Sequence, residues 1–359
     1  MKLQNVAIVS LSAGTIGEEF VRHEVEIGVK RLEEYGLTVK MMPHALRGIE
    51  YVKNHPENRA ADLLAAFQDD SVDMILCAIG GDDTYRLLPW LFENDELKKA
   101  WRQKVFLGFS DTTVNHLMLH KMGAVTFYGQ SFLADVCEME ENMLPYTARY
   151  FEELIQTGRI RQVRPSDVWY GERTDWSPSA VGTLRTRHEN QGFQRLQGSA
   201  VFRGKILGGC LETLFDIFDT GRYPDTVPLC RKYDLFPSLE DWQGRILLLE
   251  TSEERSDPAL YRRMLETLKA TGIFGVVAGI LCGKPMDEQY FEEYKALIVD
   301  VVADPSLPIV ANVNVGHATP RCILPFGVEA GVDTDRQVIE FFYEDERRPE
   351  PVQDRGEPA

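Results

Sequence analysis

The sequence lacks the marks of secreted, membrane-spanning and nucleic-acid-binding proteins. Its six cysteines are scattered with no Cys-x-x-Cys pair, which predicts reduced core residues rather than disulfides or zinc ligands. No apolar run approaches the roughly 20 residues that cross a bilayer. No stripe of Lys or Arg interrupts a net charge of −17, a field that repels phosphate backbones. We therefore expect a cytoplasmic protein that binds neither membrane nor nucleic acid.

What the sequence does contain is enough apolar material for a large core. The chain has 359 residues, of which 44% are hydrophobic and 26% are charged, so two domains or one large α/β unit are expected. The N-terminal segment is too short and too polar for a signal peptide. Its pattern predicts a first buried strand instead.

In the first part of the chain, buried-strand patterns alternate with helical patterns. Strands are predicted at 6–10, 37–42, 73–79, 104–108 and 125–129, and helices at 18–35, 58–68, 84–91 and 112–122. This alternation is typical of a doubly wound, largely parallel sheet. It predicts an N-terminal α/β domain over residues 1–165.

The periodicity is lost beyond residue 159, which predicts a connector loop over 166–190. A smaller C-terminal α/β domain, rich in β structure, is predicted over 191–345. Its predicted strands are 199–202, 245–249, 275–282, 309–312, 327–333 and 337–343, with helices at 258–270 and 288–301. The charged, proline-rich residues 346–359 predict a flexible tail.

The segment GFSDTT at 108–113 contains a candidate nucleophile. It places Ser110 where a predicted strand runs into a predicted helix, a turn that exposes the hydroxyl and directs the following N–H groups at one point. The motif departs from Gly-x-Ser-x-Gly, because Thr112 stands where the second glycine would be. The structural alternative is that Ser110 merely caps the helix.

Two glycines, Gly80 and Gly81, end the third predicted strand. They are interpreted either as a tight turn or as a place where backbone approaches a substrate and offers an N–H to an oxyanion. Sites of parallel sheets lie at the carboxyl ends of strands, and Gly81 and Ser110 both fall there. This coincidence favours a functional role.

A serine nucleophile needs a base, normally histidine, and an acid that orients the base. Among the seven histidines, His317 follows the predicted strand 309–312, and Gly316 before it permits close approach. His317 is therefore the candidate base. His116 and His120 are four residues apart on a predicted helix, but no third ligand accompanies them, so a helix face is favoured over a metal site.

Two glutamates compete for the role of the acid. Glu250 ends the apolar run RILLLE at 245–250, where a buried carboxylate needs a partner such as an imidazole N–H. A helix-capping or interdomain ion-pair role is its structural alternative. Glu212 is the rival, although its position at the start of a predicted helix suits a capping carboxylate.

Several segments in order along the chain resemble one known family. They are AIGGDD at 78–83, GFSDT at 108–112, LGG at 207–209, RILLLE at 245–250 with YRRML at 261–265, and GH at 316–317. The set is similar to the serine peptidase family that joins bacterial LD-carboxypeptidases with microcin-immunity peptidases. The likeness covers nearly the whole chain apart from the tail.

This resemblance implies a Ser-Glu-His triad with Ser110 as nucleophile, His317 as base and Glu250 as the residue that orients it. It implies that the backbone N–H groups of Gly81 and Asp111 form the oxyanion hole. It also implies a homodimer, a site between the two domains, and no metal or organic cofactor.

Within the family, the TFYG segment at 126–129 and the aromatic connector are more similar to the microcin-immunity branch. In that branch a connector tryptophan stacks on a nucleobase, so Trp169 and Trp176 are candidate substrate contacts, as is Gly80. A hydrophobic lid or a dimer contact is the alternative for the tryptophans. The chain departs from the family at Cys210, where asparagine is usual, and at Thr251, where aspartate is common.

The expected function is that of a serine carboxypeptidase hydrolysing an amide in a small peptide conjugate, with a peptidyl- or aminoacyl-nucleotide as lead substrate. The runner-up is a murein tetrapeptide L,D-carboxypeptidase of cell-wall recycling. A non-catalytic α/β protein that binds a small ligand is the alternative of another class.

Overall fold

The computed structural model describes residues 2–346. The predicted tail at 346–359 lies outside the described residues from position 347 onward. Among the described helices, none is long and apolar enough to cross a membrane.

The described chain contains sixteen strands and twelve α-helices, together with short 3₁₀ turns and one π-helical turn, Phe132–Val136. The strands are β1 (Asn5–Val9), β2 (Thr38–Met41), β3 (Met74–Cys77), β4 (Val105–Gly108), β5 (Thr126–Tyr128), β6 (Gln162–Val163), β7 (Val168–Tyr170), β8 (Arg187–Glu189), β9 (Gln194–Gln197), β10 (Val201–Cys210), β11 (Ile246–Glu250), β12 (Gly279–Gly283), β13 (Ile309–Val313), β14 (Leu324–Phe326), β15 (Glu329–Asp333) and β16 (Val338–Phe342). The helices are α1 (Arg22–Glu34), α2 (Ile49–Asn54), α3 (Pro56–Gln68), α4 (Leu88–Phe92), α5 (Glu96–Ala100), α6 (Thr113–His120), α7 (Pro145–Thr157), α8 (Leu211–Asp216), α9 (Thr226–Lys232), α10 (Leu239–Trp242), α11 (Pro258–Ala270) and α12 (Phe291–Val302).

The first sheet has six strands in the order β14-β5-β4-β3-β1-β2. Strands β1 to β5 pair in parallel, and only β14 runs antiparallel at the edge. Strands β3 and β4 are buried along their whole length, as expected for central strands covered on both faces. The predicted doubly wound, largely parallel sheet is confirmed.

The second sheet has eight strands in the order β6-β16-β15-β10-β11-β12-β13-β9. Strands β10 to β13 pair in parallel at its centre, and the flanking strands run antiparallel. The predicted second α/β unit rich in β structure is therefore also confirmed.

Two strands connect the sheets. Strand β6, within the predicted N-terminal domain, pairs with β16 in the second sheet. Strand β14, within the predicted C-terminal domain, pairs with β5 in the first. The domain boundaries at 165 and 191 stay a prediction.

Several elements were not predicted or have other bounds, as three regions illustrate. Residues 130–158 carry no predicted element, yet α7 lies there, with proline at its first position and Gly158 at φ 70° after its end. The predicted strand 199–202 extends as β10 to Cys210, through a glycine pair that weakens a strand pattern. The connector contains a hairpin of β7 and β8.

The carboxyl ends of the central strands of both sheets carry the candidate residues. Ser110 follows β4, Glu250 ends β11, and His317 lies in the loop after β13. Because the carboxyl ends of parallel strands share one edge of a sheet, this topology gathers the three side chains where the two sheets meet.

Candidate active site

The turn after β4 holds Ser110 in a left-handed backbone conformation, with φ at 64°. Such a conformation is costly for a non-glycine residue and is concentrated at functional sites. Ser110 opens a 3₁₀ turn, Ser110–Thr112, that leads directly into α6. Thr112 and Thr113 hydroxyls close the turn by donating to the carbonyls of Phe109 and Ser110, at 2.7 Å each. The Ser110 hydroxyl caps neither this turn nor α6, so the alternative interpretation of Ser110 as a helix cap is wrong.

Gly80 packs directly against this hydroxyl. A Cβ atom on Gly80 would lie 2.5 Å from Ser110 Oγ, so only glycine leaves room for the nucleophile. Gly80 is a predicted substrate contact, and in the structure it lies beside the serine.

A hydrogen-bonded chain joins the three candidate catalytic side chains. His317 Nε2 lies 3.0 Å from Ser110 Oγ, and His317 Nδ1 lies 2.7 Å from Glu250 Oε2. The serine and the histidine are 207 residues apart in the chain, and both are buried. This is the geometry in which an imidazole can accept the proton of a serine while a carboxylate fixes its orientation.

The backbone around His317 is held from both sides. Gly316 has φ at 91°, and a Cβ atom there would lie 2.3 Å from Glu250 Oε2. The Arg321 guanidinium donates to the carbonyls of Gly316 and His317 and pairs with Asp135 at 3.0 Å. These contacts fix the imidazole against the carboxylate.

Tyr128, at the end of β5, links the nucleophile to the acid. Its hydroxyl donates to Glu250 Oε1 at 2.6 Å and accepts the backbone N–H of Ser110 at 3.1 Å. Burial, and then the nearby Glu250 carboxylate, raise the pKa of Tyr128 well above its ordinary value, so the phenol keeps its proton. Sequence reasoning missed this role; the only signal was a tyrosine at the carboxyl end of a parallel strand.

The candidate oxyanion residues, Gly81 and Asp111, both line the cleft beside Ser110. The Asp111 side chain faces the other way and accepts hydrogen bonds from the Ser12 hydroxyl at 2.6 Å and from the N–H and hydroxyl of Thr84 at 2.9 and 2.6 Å. Asp111 thereby ties the loop after β3 to the turn after β4.

A second carboxylate contacts the imidazole. Glu253 Oε2 lies 3.1 Å from His317 Nε2, the same atom that faces Ser110. Burial alone would lower the pKa of His317, but the carboxylates of Glu250 and Glu253 raise it to about 10. The hydrogen bond with His317 lowers the pKa of Glu253 to about 2. In this arrangement the imidazole keeps its proton and has no lone pair to offer Ser110.

The cleft in front of Ser110 is strongly acidic. Among its described lining residues, six carry carboxylates, and Arg222 carries the one positive charge. Arg222 is already paired with Asp216 at 3.1 Å and Glu254 at 2.5 Å, and lies 3.7 Å from Asp82. The full lining is Gly81, Asp82, Ser110, Asp111, Cys210, Glu212, Thr213, Asp216, Arg222, Ser252, Glu253 and Glu254.

Glu212, the rival acid, has other partners. It accepts the backbone N–H of Ser252 at 3.0 Å and the hydroxyl of Ser256 at 3.1 Å, at the start of α8. Burial raises its pKa. Its contacts anchor the loop after β11 rather than the imidazole.

The histidines on the helix after Ser110 are structural. His116 is buried and lies 2.8 Å from the Thr126 hydroxyl and 3.1 Å from the Gly108 carbonyl, and burial lowers its pKa to about 4. Burial likewise lowers the pKa of His120 to about 4. Across residues 2–346, no cluster of His, Cys, Asp or Glu side chains is arranged to hold a metal ion. All six cysteines are free and buried, as predicted.

The two connector tryptophans have different surroundings. Trp169 is buried in β7, where it stacks on His188 at 4.1 Å between ring centres. Trp176 is 41% exposed, with the Arg185 guanidinium 5.6 Å from its ring centre. Trp176 therefore has the more accessible ring, and substrate contact by either residue stays a prediction.

The comparisons with known proteins agree with this fold. Residues 6–129 match the LD-carboxypeptidase N-terminal domain, and residues 203–332 match the LD-carboxypeptidase C-terminal domain. The two-sheet α/β chain belongs to this peptidase family, and the resemblance found in the sequence is confirmed.

Relatives of two kinds are similar to the chain. A solved MccF-like protein from Streptococcus pneumoniae in complex with AMP is 63% identical, with a TM-score of 0.94 over 95% of this chain and 99% of that one. The microcin C7 self-immunity protein MccF of Escherichia coli is 25% identical over 79% of this chain and 77% of its own length. A probable murein peptide carboxypeptidase of Bacillus subtilis is 26% identical over 84% and 82%.

Proposed function

We propose that this protein is a serine peptidase that hydrolyses an amide in an aminoacyl- or peptidyl-nucleotide. The observation that carries the proposal is the hydrogen-bonded chain from Ser110 Oγ through His317 to Glu250. In the reaction, Ser110 Oγ attacks the scissile carbonyl carbon while His317 Nε2 accepts the hydroxyl proton.

The later steps use the same groups. The N–H groups of Gly81 and Asp111 stabilise the oxyanion, and His317 returns its proton to the leaving nitrogen as the amide bond breaks. A water molecule, deprotonated by His317, then attacks the acyl-serine ester and releases the acid and free Ser110.

The nucleotide class is supported by the relative that was solved with AMP and by its 63% identity to this chain. An exposed indole such as Trp176 offers a face for a nucleobase. A murein peptide is the second candidate, favoured by the similarity to the probable murein peptide carboxypeptidase. A homodimer and a cytoplasmic location stay predictions.

A serine-directed fluorophosphonate tests the nucleophile. We expect it to label the wild type at mildly alkaline pH and to leave Ser110→Ala unlabelled. Ser199→Ala, at an exposed serine that hydrogen-bonds within its own turn, is the matched control and should be labelled normally. Folded wild type without labelling or amide hydrolysis would instead support the non-catalytic ligand-binding protein.

Incubation with two substrates tests the substrate class. We expect hydrolysis of an aminoacyl adenosine phosphoramidate, followed by chromatography of the released nucleotide. Release of D-alanine from a murein tetrapeptide, with the nucleotide conjugate left intact, would overturn the lead substrate in favour of the second.

A further inference from the structure

The contact between Glu253 and His317 is incompatible with the first catalytic step. His317 Nε2 lies 3.1 Å from Glu253 Oε2 and 3.0 Å from Ser110 Oγ. When Nε2 carries a proton, its N–H donates a hydrogen bond to the Glu253 carboxylate. When Nε2 is bare and can accept the serine proton, its lone pair faces an anion, and Glu253 has lost its donor. Catalysis therefore requires Glu253 to take another partner.

The neighbouring cations of the described chain are already engaged. Arg222 is paired with Asp216 and Glu254, and Arg255 is paired with Asp287 across the loop. Apart from Glu253 itself and from Asp111, whose carboxylate is bonded to Ser12 and Thr84, four acidic residues line the cleft, so a positive partner for Glu253 is best supplied by the substrate.

The position of Glu253 indicates where that positive charge lies in the substrate. Its carboxylate and the Ser110 hydroxyl bond the same nitrogen atom, so they are within two hydrogen-bond lengths of each other. An amine on the carbon next to the attacked carbonyl is two bonds from the reacting atom and falls within this span. The Glu253 side chain is 65% exposed on the loop after β11, so it can turn from the imidazole toward the cleft.

We propose that Glu253 is a specificity-determining residue that binds a free α-ammonium group next to the scissile carbonyl. The inference rests on the proposed function and narrows it to aminoacyl conjugates, because a peptidyl or murein substrate carries an acylated, uncharged nitrogen there. When the ammonium binds, the Glu253 carboxylate leaves the imidazole and pairs with the substrate. The same exchange frees Nε2 of His317 to accept the Ser110 proton.

A pair of near-isosteric substrates tests the proposal. L-alanyl and L-lactyl adenosine phosphoramidate differ only by an ammonium or a hydroxyl at the α-carbon. For the wild type we expect kcat/KM to favour the alanyl conjugate by about 100-fold or more, since a site built for a polar group rejects an analogue that lacks it. In Glu253→Gln the preference should fall below about tenfold, and Glu253→Asp should restore part of it.

A binding measurement provides a readout that does not depend on turnover. Calorimetry with Ser110→Ala should give a lower Kd for the alanyl than for the lactyl conjugate. Adding Glu253→Gln to that variant should remove the difference. Glu266→Gln, at an exposed helix position paired with Arg262, is the matched control and should keep it. Fluorophosphonate labelling of Ser110 checks that each variant with the serine is folded.

The outcomes separate the inference from the proposed function. Equal hydrolysis of the two conjugates by the wild type, or full discrimination by Glu253→Gln, would overturn the role of Glu253 alone. If Ser110 is labelled but neither conjugate is hydrolysed, the substrate class is wrong and the inference falls with it.

Discussion

Glu250 and Glu253 contact the same imidazole from its two nitrogen atoms, yet they belong to regions of opposite character. Glu250 is the last residue of the buried strand β11, and its other oxygen accepts the Tyr128 hydroxyl at 2.6 Å. Glu253 follows three residues later on a loop, with its side chain 65% exposed. The first carboxylate is fixed, and the second is able to move.

Two carboxylates at similar distances from one catalytic imidazole can therefore have different roles. A buried carboxylate with a second fixed donor holds the imidazole in one orientation, as a triad acid must. An exposed carboxylate stays hydrated after it leaves its partner, so breaking its contact with Nε2 costs little free energy. That contact can therefore be exchanged for a contact with substrate. Three substitutions test this division between a fixed and an exchangeable carboxylate.

The largest effect is expected for Glu250→Gln. The amide keeps the size of the side chain but removes the negative charge. That charge stabilises the imidazolium and selects the tautomer of the neutral imidazole. We expect kcat/KM for the alanyl nucleotide conjugate to fall by about 10³–10⁴-fold, as for other triad acids. Thermal unfolding serves as the control for folding. A loss below about tenfold would show that Glu250 is not the acid.

An intermediate effect of opposite sign is expected for Glu253→Gln in labelling by the fluorophosphonate, which carries no ammonium. His317 accepts the serine proton only when it is neutral, and its pKa of about 10 places the rising limb of the labelling rate above neutral pH. Removing one of the carboxylates that raise this pKa moves the limb to lower pH. Labelling at neutral pH should then increase about fivefold to tenfold.

The charged groups around His317 define how this pH profile is interpreted. Glu250 and Glu253 contact the ring, Glu212 lies nearby on α8, and the Arg321 guanidinium binds the His317 carbonyl. Of these four residues only Glu253 is exposed. Its substitution therefore leaves the buried charged groups around the ring in place. An unchanged or alkaline-shifted limb in Glu253→Gln would contradict the assignment.

The smallest effect is expected for Tyr128→Phe. The substitution removes the hydrogen bond to Glu250 and the acceptor for the Ser110 N–H, while the ring stays packed. We expect kcat to fall about twofold to fivefold with little change in KM, because the lost contacts position catalytic groups rather than substrate. Tyr35→Phe is the matched control, because it removes a tyrosine hydroxyl that hydrogen-bonds a different glutamate, Glu152 on α7. It should leave kcat unchanged.

Much of the fold was predictable because its signals are local. Buried apolar runs of four or five residues between amphipathic helices predicted β1, β3, β4 and β11 to within a few residues. The elements that were missed depend on tertiary context. The short strands β9 and β14 gain their hydrogen bonds only at sheet edges that distant segments provide.

The site divides in the same way. The turn at Ser110 was predictable from a strand, a glycine and a helix start, since these are properties of consecutive residues. Glu250 and His317 are predictable as polar residues at strand ends and as part of an ordered family pattern. Tyr128 and Glu253 were not predicted, because a tyrosine after an apolar strand and a glutamate in an acidic loop have many ordinary roles.

Apolar periodicity and glycine positions act over a few residues, so they are enough to predict the α/β class and the strand ends that carry the candidate catalytic residues. The folded chain alone reveals that Glu253 and Ser110 face one nitrogen of His317 and that Tyr128 joins Ser110 to Glu250. These contacts span up to 207 residues of chain, and their distances depend on how α6 and the turn before it contact β10 of the second sheet.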